Sequence, residues 1–246
     1  MRTTLKQFLW TAYDHLGLLV GCNVVWSVLA LPWIGGAYSI LHFGFTVGGL
    51  LMPLAVVLSG VLIFGAPGTA MLFAAGAAWA RGREFGMRDF LQSGRFFFWR
   101  ALALGLVLDG GSTLVMVNLV FYQRIGGWIG SILSGMMLWF ALLFGMVAVY
   151  VFPVLVTQGG GVWSSLRQSF LLAIDNIKLS LLLLLTAGLA LGIGFVSGLG
   201  LFCGVAAAWA LFVSVAFRAL LPKYTGESLP EEQPRRLREL IRPWEV

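Results

Sequence analysis

Asp109 is the one acid inside the long apolar stretch 96–121, and Gly110-Gly111-Ser112-Thr113 follow it directly. A carboxylate near the middle of a membrane span costs a few kcal/mol on insertion scales, so such a residue reads first as a proton or cation relay or a substrate contact. The glycines after it let a second helix, or a bound group, approach closely. The competing role is structural: a hydrogen-bonded Asp109 that holds two helices together through Asn23 or His42. Asn118, further along the same stretch, completes the polar candidates within apolar segments, which are Asp109, Asn23, His42 and Asn118.

Other chemistry is thinly represented. His15 and His42 are the only histidines. With Asp109 they could titrate as a cluster, but no spacing brings them together, and they read as interfacial or structural. No HxxxH, HExxH or paired Cys/His spacing occurs, so neither a metal nor a cofactor is expected. Cys22 and Cys203 lie within or beside apolar segments and read as small buried hydrophobes. There is no phosphate-binding Gly-Lys loop and no GxSxG nucleophile elbow. These absences argue against an ATPase, a zinc protease and a serine hydrolase, and the expectation is a protein that is not an enzyme.

The elements that must position these residues follow from the charge map. The 246 residues are 59% hydrophobic and only 11% charged, where soluble domains run at about 25% charged. No Asp, Glu, Lys or Arg occurs between Asp14 and Arg81, between Arg124 and Arg167, or between Lys178 and Arg218. In lipid, about 20 such residues make one spanning helix. Runs such as Leu181–Leu185 lack the alternation of a membrane β-barrel. The expected fold is all-α: a polytopic transmembrane helical bundle at 1–221, followed by a basic tail at 222–246. The net charge of +6 is not spread over a face. The bases cluster at span ends and in the tail, as the positive-inside rule requires, which argues against a nucleic-acid partner.

Residues 2–15 mix bases with aromatics, as an interfacial helix does. Arg2 and Lys6 are followed by polar sequence reaching Asp14 and His15, so the first apolar segment reads as a retained span, not a signal peptide. Spans are expected at about 16–34, 50–80 (broken near Gly65-Ala66-Pro67-Gly68), 96–121, 128–152, 178–198 and 200–221. Tyr122-Gln123-Arg124 would join the middle hairpin, and Pro153 would end its second helix. The basic stretch from Arg81 to Arg100 belongs in the cytoplasm. With the N-terminus also inside, six spans result; with it outside, 35–81 holds two crossings and the count is seven.

Two amphipathic segments precede hairpins. In one, Met87, Phe90, Leu91, Gly94, Phe97 and Phe98 oppose Arg88, Gln92 and Arg95. In the other, Val162, Leu166, Phe170, Ala173 and Ile177 oppose Ser165, Gln168 and Asn176. Each suits the membrane surface, and together they suggest a weak repeat of elbow helix plus hairpin. Glycines four apart, among them Gly188/Gly192, Gly194/Gly198 and Gly200/Gly204, have the spacing for close helix packing within the bundle or across a homodimer. Arg235, Arg236 and Arg238 lie on a short basic amphipathic tail segment that would rest on anionic lipid, as Arg88 and Arg95 would.

One family comes into view on these residues. Asn23-x-x-Trp26…Leu31-Pro32, Gly65-x-Pro67-x-Thr69-Ala70, Arg88-Asp89-Phe90, Asn118-x-x-Phe121-Tyr122, Phe152-Pro153 and Arg167-x-x-Phe170 with Asn176 follow in order. Over about residues 5–221 this resembles the YesL family of bacterial membrane proteins, a domain of unknown function. The resemblance implies six spans, cytoplasmic termini and a loose link to carbohydrate uptake. A sugar importer is the kind of partner it implies, and it brings no catalytic residues. About residues 33–63 depart from that pattern as an apolar insertion. The expectation is an inner-membrane accessory protein of carbohydrate uptake or envelope physiology, with a small transporter or channel lined by Asp109 as the alternative.

Overall fold

The polar N-terminal segment forms α1 (Arg2–Asp14), and at His15 the chain bends by 84° into α2 (Leu16–His42). The computed structural model describes residues 2–42, 59–197 and 203–226, and every regular element among them is helical. Helix α2 runs through Pro32 and past the expected end at 34, since a proline removes one ladder bond without blocking the turns beyond it. The first part of the expected 50–80 segment, residues 50–58, lies outside the described residues.

The chain resumes as a π-helical turn, Gly60–Phe64, in which the Gly65 N–H donates to the Gly60 carbonyl at 3.1 Å. After Gly65 comes α3 (Ala66–Ala80), with Pro67 in the first turn, where its missing N–H has no intrahelical partner to lose. Helix α3 is apolar on all sides and nearly all of its residues are buried, as expected of the central member of a bundle. Phe73 stacks on Phe152 at 6.1 Å and meets Trp209 edge-on at 5.7 Å. Gly82, at φ +67, closes α3 in the left-handed conformation that glycine tolerates.

Helix α4 (Met87–Ile125) is one unbroken helix of 39 residues. The separate surface helix expected over 87–98 therefore does not exist. No residue there removes an N–H or demands a left-handed turn, and Gly94 serves packing instead: a Cβ on it would lie 2.6 Å from Met71 Sδ. Asp89 starts the helix by accepting the Gly86 N–H at 3.0 Å. Tyr122, Gln123 and Arg124 remain helical, and the hairpin turn is made by Gly126 and Gly127 at φ +66 and +63.

Helix α5 (Gly127–Gln158) continues through Pro153, where an end was expected, and stops at Gly159 (φ 63). The Thr157 hydroxyl donates to the Pro153 carbonyl at 2.7 Å. Helix α6 (Val162–Asp175) bends by 109° at Asn176 into α7 (Ile177–Ser197). Helix α8 (Val205–Thr225) carries Pro222 inside its last turn and ends at Gly226. The α6–α7 bend falls ahead of the second hairpin, as expected, but the other bend lies at α1–α2 and the first expected elbow is continuous with α4, so the elbow-plus-hairpin unit does not repeat.

Helix α6 was expected as an amphipathic helix suited to the membrane surface. Its buried face is Ser165, Ser169 and Ala173, while Trp163, Phe170, Leu171 and Ile174 point outward. Lipid supplies no drive to hide apolar side chains, whereas small residues let helix backbones touch, so the small face turns inward.

Gly94 on Met71 and Gly105 on Leu62 make α4 antiparallel to α3, and Gly76 on Ala210 and Ser214 makes α8 parallel to it. The α1–α2 corner, the C-terminal ends of α3, α5 and α8, and the start of α4 consequently share one end of the bundle. Helices α4, α5 and α8 are each long and apolar enough to cross a membrane, and the total reaches five if each bent pair counts as one span. This length and composition are compatible with membrane insertion.

Candidate functional site

Asp109 sits where α4 leaves the core. The buried residues of α4 run from Phe90 to Leu108 and go no further. One turn before Asp109, Gly105 presses α4 against the π-helical turn so closely that a Cβ there would lie 2.0 Å from the Leu62 carbonyl oxygen. Two residues after it, a Cβ on Gly111 would lie 2.5 Å from the Phe144 ring, whereas Gly110 faces open space. The helix is therefore fixed on both sides of the acid. Ser112 donates to the Leu108 carbonyl at 2.8 Å and stays within its own helix. The Oδ1 atom of Asp109 is buried and makes no hydrogen bond among the described residues. π-Helical turns recur at functional sites, and this one packs on α4 one turn before the acid.

The other polar candidates do not join it. Asn23 is fully buried, and its Oδ1 accepts the Ala207 N–H at 3.1 Å. It closes the start of α8 and does not pair with Asp109. Asn118 is half-buried and donates to its own helix at the Leu114 carbonyl, 2.8 Å away. His42 falls at the end of α2, and its side chain lies outside the described residues. His15 stacks on Trp79 at 5.1 Å. Since His15 meets Trp79 near the end of α3 and Asp109 lies one turn beyond the Gly105–Leu62 contact before its start, His15 and Asp109 lie roughly 30 Å apart along the bundle at about 1.5 Å per residue.

The packing glycines also sort differently from the sequence pattern. A Cβ on Gly188 or Gly192 meets nothing within 4 Å, so these two make no close contact among the described residues. Gly204 does: at φ +96, a Cβ on it would lie 2.7 Å from Leu19 Cδ2. Gly198 and Gly200 lie outside the described residues, as do the surroundings of Gly194 and the tail arginines Arg235, Arg236 and Arg238. Arg88 and Arg95 are exposed near the start of α4. The close approaches occur instead at Gly76, Gly94, Gly105 and Gly111. Ala101-x-x-x-Gly105 and Ala210-x-x-x-Ser214 carry the same small-residue spacing, and extending the glycine pattern to alanine and serine would have found them.

A polar knot that sequence reasoning missed joins α6, α7 and α8. Lys223 Nζ lies 2.6 Å from Asp175 Oδ2 and donates to Asn176 Oδ1 at 3.2 Å, while Tyr224 donates to the same Asp175 oxygen. The Asn176 amide in turn donates to the Tyr224 hydroxyl at 2.6 Å. The hydrogen bonds from Lys223 and then Tyr224 hold the Asp175 carboxyl below its ordinary range. Nothing in the spacing signalled this knot, because its two halves are separated by a whole hairpin.

Among the described residues no group of His, Cys, Asp and Glu is placed to hold a metal. No family model, curated protein or solved structure matches the chain.

Proposed function

We propose that the chain is an accessory protein of the bacterial inner membrane, not an enzyme, which acts by helix contacts with another membrane protein. One observation carries this reading. Among the described residues, the far halves of α4 and α5 pack chiefly on each other, because burial in α4 ends at Leu108 and in α5, Gly130 apart, begins at Met146. The hairpin displays Val117, Phe121, Trp128, Met136 and Trp139 outward. Aromatic and Met side chains of this kind are enriched at interface cores. The link to carbohydrate uptake or envelope physiology, with a sugar importer as the kind of partner, rests on the resemblance carried by the sequence motifs.

Six spans with cytoplasmic termini belong to the same reading. His15 on Trp79, and the Gln7 amide 3.5 Å from the Ala80 carbonyl, support a common side for the α1–α2 corner and the basic stretch after α3. Photo-crosslinking from a benzophenone residue at Val117 or Met136 in intact membranes is expected to give a discrete protein adduct. Adducts to lipid alone from both positions would remove the accessory role.

A second reading has its own observation, the buried and unpartnered Asp109 oxygen beside the π-helical turn. In it the chain is a small transporter or channel with Asp109 on the path. Proton or cation flux in proteoliposomes, abolished by Asp109→Asn with folding intact, would establish it. Absence of flux in the unaltered protein would dismiss it.

A further inference from the structure

The break between the π-helical turn and α3 leaves backbone oxygens over. In a membrane interior every backbone N–H and C=O needs a partner, so the accounting is strict. The Gly65 N–H goes to Gly60, and the Gly65 carbonyl accepts from the Thr69 N–H at 2.8 Å and from the Thr69 hydroxyl at 3.0 Å. Trp26 of α2 in turn donates to that hydroxyl at 3.0 Å, which clamps the break from a second helix. Pro67 has no N–H to give, and it stands at α spacing from Ile63 and at π spacing from Leu62. Among the described residues no backbone hydrogen bond crosses the break to either of these carbonyls.

The Leu62 carbonyl points at α4 instead. Its oxygen would lie 2.0 Å from a Cβ on Gly105 and its carbon 3.0 Å. A Cα–H is a weak donor, so this contact leaves the oxygen with acceptor capacity. Asp109 stands one turn along on the same face of α4, where Cβ atoms are about 5–6 Å apart. Helical Cα–Cβ bonds tilt toward the N-terminus, which carries the Asp109 carboxyl toward the Leu62 oxygen. Its Oδ1 is buried and accepts no hydrogen bond among the described residues. A carboxylate and two carbonyls thus converge with no donor between them.

Charge decides what fills the gap. The π-helical turn, α3 and α5 contain no Lys, Arg or His, and α2 has none before His42. On α4 the nearest bases, Arg100 and Arg124, are more than two turns away, and Arg100 bonds the Gly159 carbonyl. A bridging water would satisfy the acceptors but leave the negative charge uncompensated in an apolar setting, which is costly. A cation answers both needs. Oxygen ligands select hard ions, and one carboxylate balances a single charge. A divalent ion such as Ca²⁺ would take about 6–8 oxygens and keep a net charge. Carbonyls at the ends of broken membrane helices hold sodium in this way, and carbonyls, not a cluster of acids, supply most of the ligands here. We propose that Leu62, Ile63 and Asp109 form a binding site for an alkali-metal cation. The site rests on the chain lying in a bilayer; it shares Asp109 with the transporter reading but stands without flux.

The test follows the melting temperature of the purified full-length chain in a maltoside detergent as sodium or potassium chloride replaces choline chloride at constant ionic strength. A cation bound only by the folded state raises melting in a saturable way, by roughly 5–10 °C at a hundredfold excess over the half-saturating concentration. Sodium or potassium is expected to do this, and the one that saturates at the lower concentration is the preferred ion. Asp109→Asn should abolish the rise. Glu84→Gln, which removes an exposed acid past the end of α3, should keep it. Pro67→Ala returns an N–H to the break and should raise the half-saturating concentration by about tenfold, the effect of occupying one carbonyl ligand; it decides the result if Asp109→Asn does not fold. Saturation without cation flux in proteoliposomes upholds the site and dismisses the transport path. Equal melting in the three salts, a rise undiminished in Asp109→Asn, or an unchanged half-saturating concentration in Pro67→Ala overturns the site.

Discussion

Replacing Asn23 by leucine should weaken the whole bundle, because this side chain closes a helix that begins 181 positions later at Gly204. The first intrahelical bond of α8 runs from the Ala208 N–H to the Gly204 carbonyl, which leaves the Ala207 N–H without an intrahelical acceptor. Gly204 has no side chain to cap it, so Asn23 accepts that N–H across the α2–α8 contact at 3.1 Å. Asn23 is 0% exposed and Ala207 3%, so water cannot take over. A buried amide left without an acceptor costs about 1–3 kcal/mol, and loss of a cap costs about 0.5–2 kcal/mol. Interhelical hydrogen bonds measured in membranes average about 0.6 kcal/mol and reach about 1.7 kcal/mol. The ranges overlap at about 1–2 kcal/mol, with leucine chosen so that little volume is lost. For a chain of this size, 1 kcal/mol moves the melting temperature by about 2–4 °C, so Asn23→Leu should melt about 3–6 °C lower. Asn118→Leu is the matched control, since half-buried Asn118 bonds its own helix at Leu114 and no other helix among the described residues, and it should shift melting by less than about 1 °C. The assay is intrinsic tryptophan fluorescence during heating in mild detergent. Equal shifts for the two variants would refute the capping role.

Three further outcomes follow from the same geometry. Gly105→Ala should abolish folding or lower melting strongly, because its Cβ would meet the Leu62 backbone at 2.0 Å; Gly188→Ala, which meets nothing, should be neutral or slightly stabilising, as alanine is the better helix former by about 1 kcal/mol. The Asp175–Lys223–Tyr224 knot should show a signed pH dependence. Asp175 has a lowered pKa when folded, so its contribution is complete above the ordinary carboxylate value of 3.8 and disappears as pH falls through the folded value. Asp175→Asn should therefore flatten the acid limb of melting against pH while leaving its shape near neutrality unchanged; an identical acid limb in the variant would remove the knot from that titration. For topology, in a background lacking Cys22 and Cys203, Thr3→Cys and Arg83→Cys should both label from the cytoplasmic side and Ser131→Cys from the outside. Labelling of positions 3 and 83 from opposite sides would replace six spans by seven.

Much of the architecture was legible because charge and apolar run length act locally. The uncharged stretches and the polar character of α1 are properties of short windows. Helix ends were less legible where two signals competed. Pro153 was expected to stop a helix, yet one missing N–H does not outweigh the packing of the turns that follow. Tyr122-Gln123-Arg124 was expected as a turn, whereas the glycine pair two residues later carries the positive φ values.

By itself the sequence determined an apolar character compatible with membrane insertion, the helical class and the segregation of the bases, since each depends on composition over a few turns. Asp109 was equally visible, as an acid where acids are costly. Only the tertiary structure decided what surrounds each of these residues. It gave Asn23 to Ala207, left Asp109 Oδ1 without a hydrogen bond among the described residues, turned the serine face of α6 inward, and brought Arg81 and Arg218 to one end of the bundle. The physical reason is shared. In a lipid setting, apolar character no longer tells the inside of a bundle from the outside. Contacts are chosen by small residues and hydrogen bonds between helices far apart in the chain, and no local pattern records which of them will meet.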